Sequence, residues 1–420
     1  MKELSSNRRE FVAGAAAASL GLGMFAEELF ADAQTAPAAG PPVTCAVIGL
    51  GVQGREILSA LAKIPGAPVS MLSETYTGAA YVKRATDIAP GATVQADYKA
   101  VLADKAVQAV LIATPSHLHK QIALDAIAAG KHVYCEAPLA TDLAEAKAIA
   151  LAARDAKTVF QVGLNNRCNK MHLHVRKFVL SGALGRTVGG RTQYHRKGGW
   201  KRGAPTGERE RELNWRLFRD SSSGIAGEYI AHQFDVATWF LKQLPVAVSG
   251  MGSIQFFTSD GMEVPDTVQG VIEYPGGIRI AYDGTIANSF DGIYEALFGS
   301  DCAMQIRDQR AWMYKETDSP LLGWEVYARK DKIGDNTGIA LVADSTQLLA
   351  QGKEPGKVGT DLTKNALFYA LESFVESIRT SKPARVSAID GYQAAVVGRK
   401  AHEASLTNTR IVLEKSLFEL

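Results

Sequence analysis

Cysteine is scarce in this chain, with Cys 4 among 420 residues. Cys45 and Cys135 fall in apolar runs that read as buried strands, and Cys168 and Cys302 have no neighbour at metal-ligand spacing. That spread excludes a disulfide framework and a zinc-type site, and predicts free, mostly buried thiols. Charge of one sign is also missing. A formal net charge of +2 gives no electrostatic reason to expect nucleic acid or an anionic membrane surface as partner. No internal repeat or low-complexity segment is evident beyond the first residues. There is no nucleophile elbow and no phosphate-binding Gly-Lys-Ser/Thr loop. His172 and His174, two apart on a predicted helix, point away from each other, so no metal constellation is expected.

What is present begins at residue 45. Cys45-Ala46-Val47-Ile48 is a short apolar run that passes into Gly49-Leu50-Gly51-Val52-Gln53-Gly54. An amphipathic segment over 55–63 follows, then a second apolar run over 68–72, then Ser73-Glu74. The pattern is strand, glycine turn, helix, strand, acid. The glycines permit a tight turn, close approach of a pyrophosphate and packing of helix on sheet, and the helix N-terminus offers free N–H groups to phosphates. Glu74, twenty residues after Gly54, stands where a carboxylate accepts hydrogen bonds from an adenosine ribose. An acid there repels a 2′-phosphate, so the reading is NAD rather than NADP.

Ahead of this lies Ser6-Asn7-Arg8-Arg9-Glu10-Phe11-Val12, then a small-residue apolar stretch over 12–24 and Ala31-Asp32-Ala33. Together they resemble a twin-arginine export signal with its cleavage site. The apolar stretch is too short and too rich in Ala and Gly for a good membrane span. Residues 1–33 are therefore expected to be removed on export to the periplasm, with 34–42 as an Ala/Pro tether and no membrane insertion of the mature chain. An exported NAD protein with no obvious supply of free nucleotide is expected to hold its cofactor tightly and recycle it in place.

Residues 43–163 alternate apolar runs with helical segments, which predicts a doubly wound parallel sheet. Helices are expected over 81–88, 98–104, 118–129 and 142–156, and strands over 92–94, 109–113, 132–135 and 159–162. Past Gly163 the pattern changes. Runs over 187–195, 246–257, 267–274, 278–286, 294–298 and 303–307 alternate apolar and polar residues, as a mainly antiparallel sheet with one covered face does. Helices are expected over 172–181, 226–243, 361–380 and 387–406, and 324–364 reads as a surface loop. The predicted organisation is a Rossmann domain over 43–163 and a second, α+β domain over 164–420.

Several motifs in order resemble the Gfo/Idh/MocA oxidoreductase family: the glycine turn, Thr114-Pro115-Ser116-His117-Leu118-His119, Gly130 to Pro138, Ser181-Gly182-Ala183-Leu184-Gly185, Asn214-Trp215-Arg216, Glu228-Tyr229-Ile230-Ala231-His232-Gln233-Phe234-Asp235, and Phe374 to Pro383. The resemblance covers essentially 43–413. It implies NAD(P), a sugar, cyclitol or related polyol as substrate, and an open-faced second sheet that is often used for homo-oligomerisation. Two departures stand out. The family commonly has Glu-Lys-Pro where this chain has Glu136-Ala137-Pro138; that lysine lies beside the nicotinamide and eases loss of the substrate hydroxyl proton. Glu228 stands where the family usually has Asp. NAD-dependent α-N-acetylgalactosaminidases also lack the lysine, and resemble this chain in a Trp-Arg followed about a dozen residues later by Tyr-x-x-His, here Trp215-Arg216 and Tyr229 to His232. They oxidise a ring hydroxyl, eliminate the aglycone, add water and return the hydride.

Oxidising a secondary alcohol needs a base for the hydroxyl proton. His232 is the candidate, with Glu228, four residues earlier on the same helix face, to orient it and raise its basicity. Tyr229 is a second proton donor-acceptor. Arg216 is the candidate clamp on substrate hydroxyls, the alternative being a surface ion pair with Asp220. Trp200 or Trp215 is placed to stack on a sugar face, and Asp235 completes the substrate set. On the cofactor side stand Gly49, Gly51, Val52, Gln53, Gly54 and Glu74. Thr114, Pro115 and His117 follow a strand end, His119 being read as a packing residue, and Glu136, Ala137 and Asn165 lie at or past the next two. Three readings stay open: an NAD-dependent sugar dehydrogenase or sugar–sugar oxidoreductase, a redox-neutral glycoside hydrolase or lyase working through a transient 3-keto sugar, and a non-enzymatic NAD-binding sensor.

Overall fold

The computed structural model describes residues 40–321, 330–333, 336–341 and 364–420. The twin-arginine segment, its cleavage site and the tether up to residue 39 lie outside the described residues.

The first sheet consists of β1 (Cys45–Ile48), β2 (Val69–Ser73), β3 (Thr93–Gln95), β4 (Ala109–Ile112), β5 (His132–Cys135) and β6 (Phe160–Val162), in the order β3-β2-β1-β4-β5-β6. All neighbours are parallel. β1 and β4 are buried along their whole length, which is why their sequences are continuous apolar runs rather than alternating ones. The crossovers carry α1 (Val52–Leu61), α2 (Ala79–Thr86), α3 (Tyr98–Ala103), α4 (His119–Ala128) and α5 (Leu143–Asp155). The strand order reverses between β1 and β4, which opens a crevice at the carboxyl ends of the strands.

Among the described residues the second sheet has ten strands. β7 (Thr187–His195), β8 (Ala247–Ser253), β9 (Thr267–Glu273), β10 (Arg279–Thr285), β11 (Ile293–Gly299) and β12 (Cys302–Arg307) match the predicted runs closely. Four more were missed: β13 (Arg310–Lys315), β14 (Lys330–Ile333), β15 (Asn336–Leu341) and β16 (Arg410–Val412). The order is β14-β15-β13-β12-β11-β7-β10-β9-β8-β16, antiparallel except where β7 lies parallel to β10. β13 was missed because its hairpin turns on Asp308-Gln309, both at positive φ, without the Gly or Asn that marks such turns. The expected loop over 324–364 is corrected in part. β14 and β15 pair within it, and Ile339–Leu341 is buried on β13; the remainder lies outside the described residues.

α6 (Lys170–Leu180) and α7 (Ala231–Leu241) pack on this sheet, and the chain then returns to the first half. α8 (Ala366–Thr380) is capped by Asn365 and lays the stripe Leu367, Ala370, Leu371 and Phe374 against α1 and the turn Asn165–Cys168. α9 (Ala388–Thr407) starts from a Ser387/Asp390 capping box and packs between α5 and β6 on one side and α7 and β8 on the other. Small residues allow this. A Cβ on Gly391 would press on Val162 and Leu139, and one on Gly398 on Ala231 and the Gly227 backbone.

Candidate active site

Each glycine of the first turn is required for a different reason. Gly49 sits at φ 93, where a side chain would also meet the Ala113 backbone at 2.8 Å. A Cβ on Gly54 would lie 1.9 Å from the Gly49 carbonyl oxygen, so α1 rests directly on the turn. Gly51 is the opposite case: nothing lies within 4 Å of its Cβ position. That open face, at a helix N-terminus with no side-chain cap, is the cradle a pyrophosphate needs. Val52, exposed at 66 %, lines the same edge. Glu74 follows β2 beside the turn, where its carboxylate accepts the Leu50 N–H at 3.0 Å and the Tyr76 N–H at 3.1 Å. It braces the turn as well as presenting an acid there.

Gln53, Glu136 and Asn165, predicted separately along the chain, come together. Gln53 Nε2 donates to Glu136 Oε1 at 2.9 Å, and the Tyr134 hydroxyl links Glu136 to Asn165 Oδ1. Burial pushes the Glu136 carboxyl up to about 7, against smaller opposing hydrogen bonds from Gln53, Tyr134 and the Ala137 backbone. Ala137 precedes Pro138 across a cis peptide bond at the same edge. Thr114 and Pro115 follow β4. His119 braces both loops, its two ring nitrogens lying 3.0 Å from the Thr114 and Pro138 carbonyl oxygens, in keeping with its expected packing role. His117 leans toward the second domain. Its ring lies 5.8 Å from Trp215 and engages the Ser221 backbone, while Nδ1 is buried without a partner among the described residues.

The second domain meets this edge through a π-helical turn, Ala226–Ile230, at the start of α7. Such widened turns recur at functional sites. The expected pairing of Glu228 with His232 is not formed. Glu228 Oε2 accepts the Ser116 hydroxyl at 3.0 Å and Oε1 accepts the Ser223 N–H at 3.2 Å, because a buried carboxylate takes the donors that face it. Burial raises its pKa and Arg216 pulls it back. The carboxylate acting on His232 is instead Glu295 of β11. Burial nevertheless pulls His232 down to about 4, so its imidazole is neutral at ordinary pH.

Tyr229 is stacked on Tyr194, ring centroids 4.7 Å apart and planes 8° from parallel, and accepts the Trp200 indole N–H at 3.2 Å. Trp200 and Trp215 are only 5 % and 7 % exposed, so neither offers the open ring face expected of a sugar platform. Their faces are already used: Trp200 lies against Tyr229, and the Arg216 guanidinium sits 4.4 Å over Trp215. Arg216 does not pair with Asp220, which Arg211 takes, and its Nε is buried with no partner among the described residues. Asn214 positions this segment by exchanging hydrogen bonds with the Arg202 backbone. Asp235 is the clearest correction. It is 3 % exposed and holds Arg167 through two bonds of 2.7 and 2.9 Å, with Arg167 also bound to Asp390, so it ties α7 to the turn Asn165–Cys168 and, through Arg167, to α9 rather than facing a substrate.

Sequence reasoning missed Tyr134, Tyr194, Ser116 and Glu295. Ser116 and Tyr134 lay inside quoted motifs; Tyr194 and Glu295 are ordinary strand residues that become neighbours of the site only when the second sheet forms.

The geometry of the first half is that of a dinucleotide-binding Rossmann domain, and the comparisons with known proteins agree. Residues 43–164 match the oxidoreductase family NAD-binding Rossmann fold, and 172–302 match the GFO/IDH/MocA C-terminal domain. The chain belongs to the Gfo/Idh/MocA oxidoreductase family. It is 33% identical to levoglucosan dehydrogenase of Pseudarthrobacter phenanthrenivorans over 148 residues, which is 35% of this chain and 36% of that one, so the match spans about a third of that enzyme. It is 26% identical to 2,7-anhydro-N-acetylneuraminate hydratase of Escherichia coli over 180 residues, 42% of this chain and 45% of that one. A solved structure of levoglucosan dehydrogenase in complex with NADH and L-sorbose superimposes with a TM-score of 0.71 at 21% identity, covering 89% of this chain and 99% of the other, which shows a common fold.

Proposed function

We propose that this protein is an NAD-dependent oxidoreductase of a sugar or glycoside, acting at a ring secondary alcohol with tightly held NAD. The observation that carries the reading is the meeting of two edges. The open Gly51 cradle and the Gln53–Glu136 pair lie on the Rossmann side, and the Ser116–Glu228 bond joins to it the Ala226–Ile230 turn that carries Tyr229, with Arg216 acting on Glu228 and His232 two residues past the turn. Bound NAD supplies a hydride acceptor. A ring nitrogen of His232 takes the hydroxyl proton, the Tyr229 hydroxyl orients the sugar, and the Arg216 fork binds neighbouring oxygens. Gln53, Glu136 and Asn165 hold the cofactor's ribose and nicotinamide side.

A second reading is a redox-neutral hydrolase or lyase, in which the hydride returns to the substrate after elimination through a transient 3-keto sugar. Ala137 in place of lysine favours it, and so does the relationship to a hydratase. The twin-arginine motif Ser6 to Val12 supports an exported, periplasmic protein that recycles its own nucleotide. Exposed strand residues of the second sheet such as Val188, Met251 and Phe298 support homo-oligomerisation through it.

The deciding experiment purifies the mature protein without added NAD, acid-releases and quantifies the nucleotide, then offers free sugars and chromogenic glycosides. Stoichiometric NADH from a free sugar selects the first reading. Aglycone release with no added cofactor and no net NADH selects the second. An empty, inert protein contradicts both.

A further inference from the structure

Between β7 and the Ala226–Ile230 turn the chain leaves the second sheet and reaches back toward the first domain. The base of this excursion is pinned. Asn214 Oδ1 accepts the Arg202 N–H at 2.6 Å, and Asn214 Nδ2 donates to the Arg202 carbonyl at 3.1 Å. Residues 203–213 are therefore a loop whose two ends are tied together. On either side of the tie, Trp200 is buried against Tyr229, and Trp215 is buried with its ring 5.8 Å from that of His117. The base thus stands beside the edge that follows β4. The tip touches down elsewhere. Gly207–Arg209 and Glu210–Leu213 form two short helical turns, and Arg209 Cζ lies 4.5 Å over the ring of Tyr76. Tyr76 donates its N–H to Glu74 at 3.1 Å, so it belongs to the corner after β2. The other paired charges of the tip are used within the excursion: Glu210 faces Lys201, Arg211 takes Asp220, and Glu212 pairs with Arg209 itself.

The sheet order gives this span its meaning. β2 and β4 flank β1, so a loop based at the end of β4 and touching down after β2 crosses the end of β1, which is the glycine turn. It leaves that turn clear, since nothing lies within 4 Å of the Gly51 Cβ position. The glycines of the loop add a second observation. Neither Gly203 nor Gly207 has a positive φ, and nothing lies within 4 Å of the Cβ position of either. Neither conformation nor packing in this arrangement calls for glycine there, whereas a loop that swings does. The end of the excursion is the opposite case. Gly224 sits at φ 59 with the His402 ring 2.6 Å from its Cβ position, so the chain is fixed there.

We propose that residues 203–213 are a flap that encloses the dinucleotide, latched by Arg209 on Tyr76. A nucleotide that runs from Glu74 over the glycine turn to the edge after β4 passes beneath the flap, and it leaves only when the flap lifts. The latch is one guanidinium over one phenol ring, a contact that slows opening without forbidding it. The tie between Asn214 and Arg202 makes the loop move as a unit about a base held by Trp200 and Trp215. The inference deepens the reading of a tightly held NAD and rests on it; it does not depend on which sugar is oxidised.

The test loads the full chain with NADH and follows its release by fluorescence when excess NAD is added. Arg209→Gln removes the cation and Tyr76→Leu removes the ring. Each is expected to speed release by roughly three- to thirtyfold, the range one cation–π contact supplies. The double variant is expected to release no faster than the faster single one, because both changes break the same contact. A second measurement fixes the flap instead of freeing it. Cys45, Cys135, Cys168 and Cys302 are all buried, so the pair Tyr76→Cys and Arg209→Cys can be joined selectively by a bis-maleimide with a reducible spacer. The joined chain is expected to keep its NADH through the chase and to lose it once the spacer is reduced. Wild-type release rates in both single variants, additive effects in the double variant, or unhindered release from the joined chain would each overturn the flap and leave the nucleotide site standing. A wild-type chain that takes up no NADH would overturn the nucleotide reading along with it.

Discussion

The two sides of the site are built by opposite means. The glycine turn is shaped by backbone: Gly49 by its positive φ, Gly54 by a contact no side chain survives, Gly51 by the space it leaves. The turn at Ala226–Ile230 is shaped by partners. Glu228 is fixed by Ser116 and Ser223, Tyr229 by Tyr194 and Trp200, and Asp235 by Arg167. A backbone-built surface is largely complete before its ligand arrives and is written in local sequence. A packing-built surface depends on residues far along the chain, so the same motif letters take different roles as those residues change.

Substitutions can break this contrast, the largest effects coming first. Gly54→Val drives a side chain into the Gly49 carbonyl and should abolish NAD binding altogether, by at least about a hundredfold, measured by calorimetry. His232→Ala should lower turnover by about 10² to 10⁴ while released NAD per chain stays unchanged. Asp235→Ala leaves Arg167 with Asp390 alone and should cost about 3–5 kcal/mol in denaturant unfolding. A substrate role would instead show as a raised KM with normal stability.

A pH series tests the buried carboxyl. The folded-state value of Glu136 is raised from 4.5 to about 7, so its contribution is favourable below pH 4.5 and is lost as pH rises to about 7. Glu136→Gln should therefore be more stable than wild type at pH 8 by about 3 kcal/mol and comparable at pH 4.5, read from urea midpoints. The smallest effect is expected at Gly51. Ala there meets nothing in the protein, so stability should change by about 0.5 kcal/mol or less, while NAD affinity falls about tenfold. A large loss of stability in Gly51→Ala would mean that the cradle is part of the core.

Legibility followed the same division. The Rossmann strands could be read because continuous apolar runs such as Ala109–Ile112 and glycines at fixed offsets state their geometry locally. Gln53, Glu136 and Asn165 were found one by one from strand ends; their meeting through Tyr134 follows from the parallel order of β1, β4, β5 and β6, which single segments do not carry. On the other side, the helical spacing of Glu228 and His232 suggested a pair. It gave no hint that Ser116 would claim the carboxylate or that Glu295 would come from another strand. Trp200 and Trp215 have the composition of a sugar platform, and only packing shows their rings covered. The π-helical turn has no sequence signature at all.

The central claim is that one edge holds the nucleotide while the facing edge moves the proton. Single-turnover absorbance at 340 nm on the purified protein with its NAD, comparing wild type with His232→Ala on a panel of free sugars and glycosides, tests it most directly. The account predicts a transient or lasting rise in wild type with at least one of them, and none in His232→Ala although it carries the same amount of NAD. An equal rise in both proteins, or loss of NAD from His232→Ala, would contradict it.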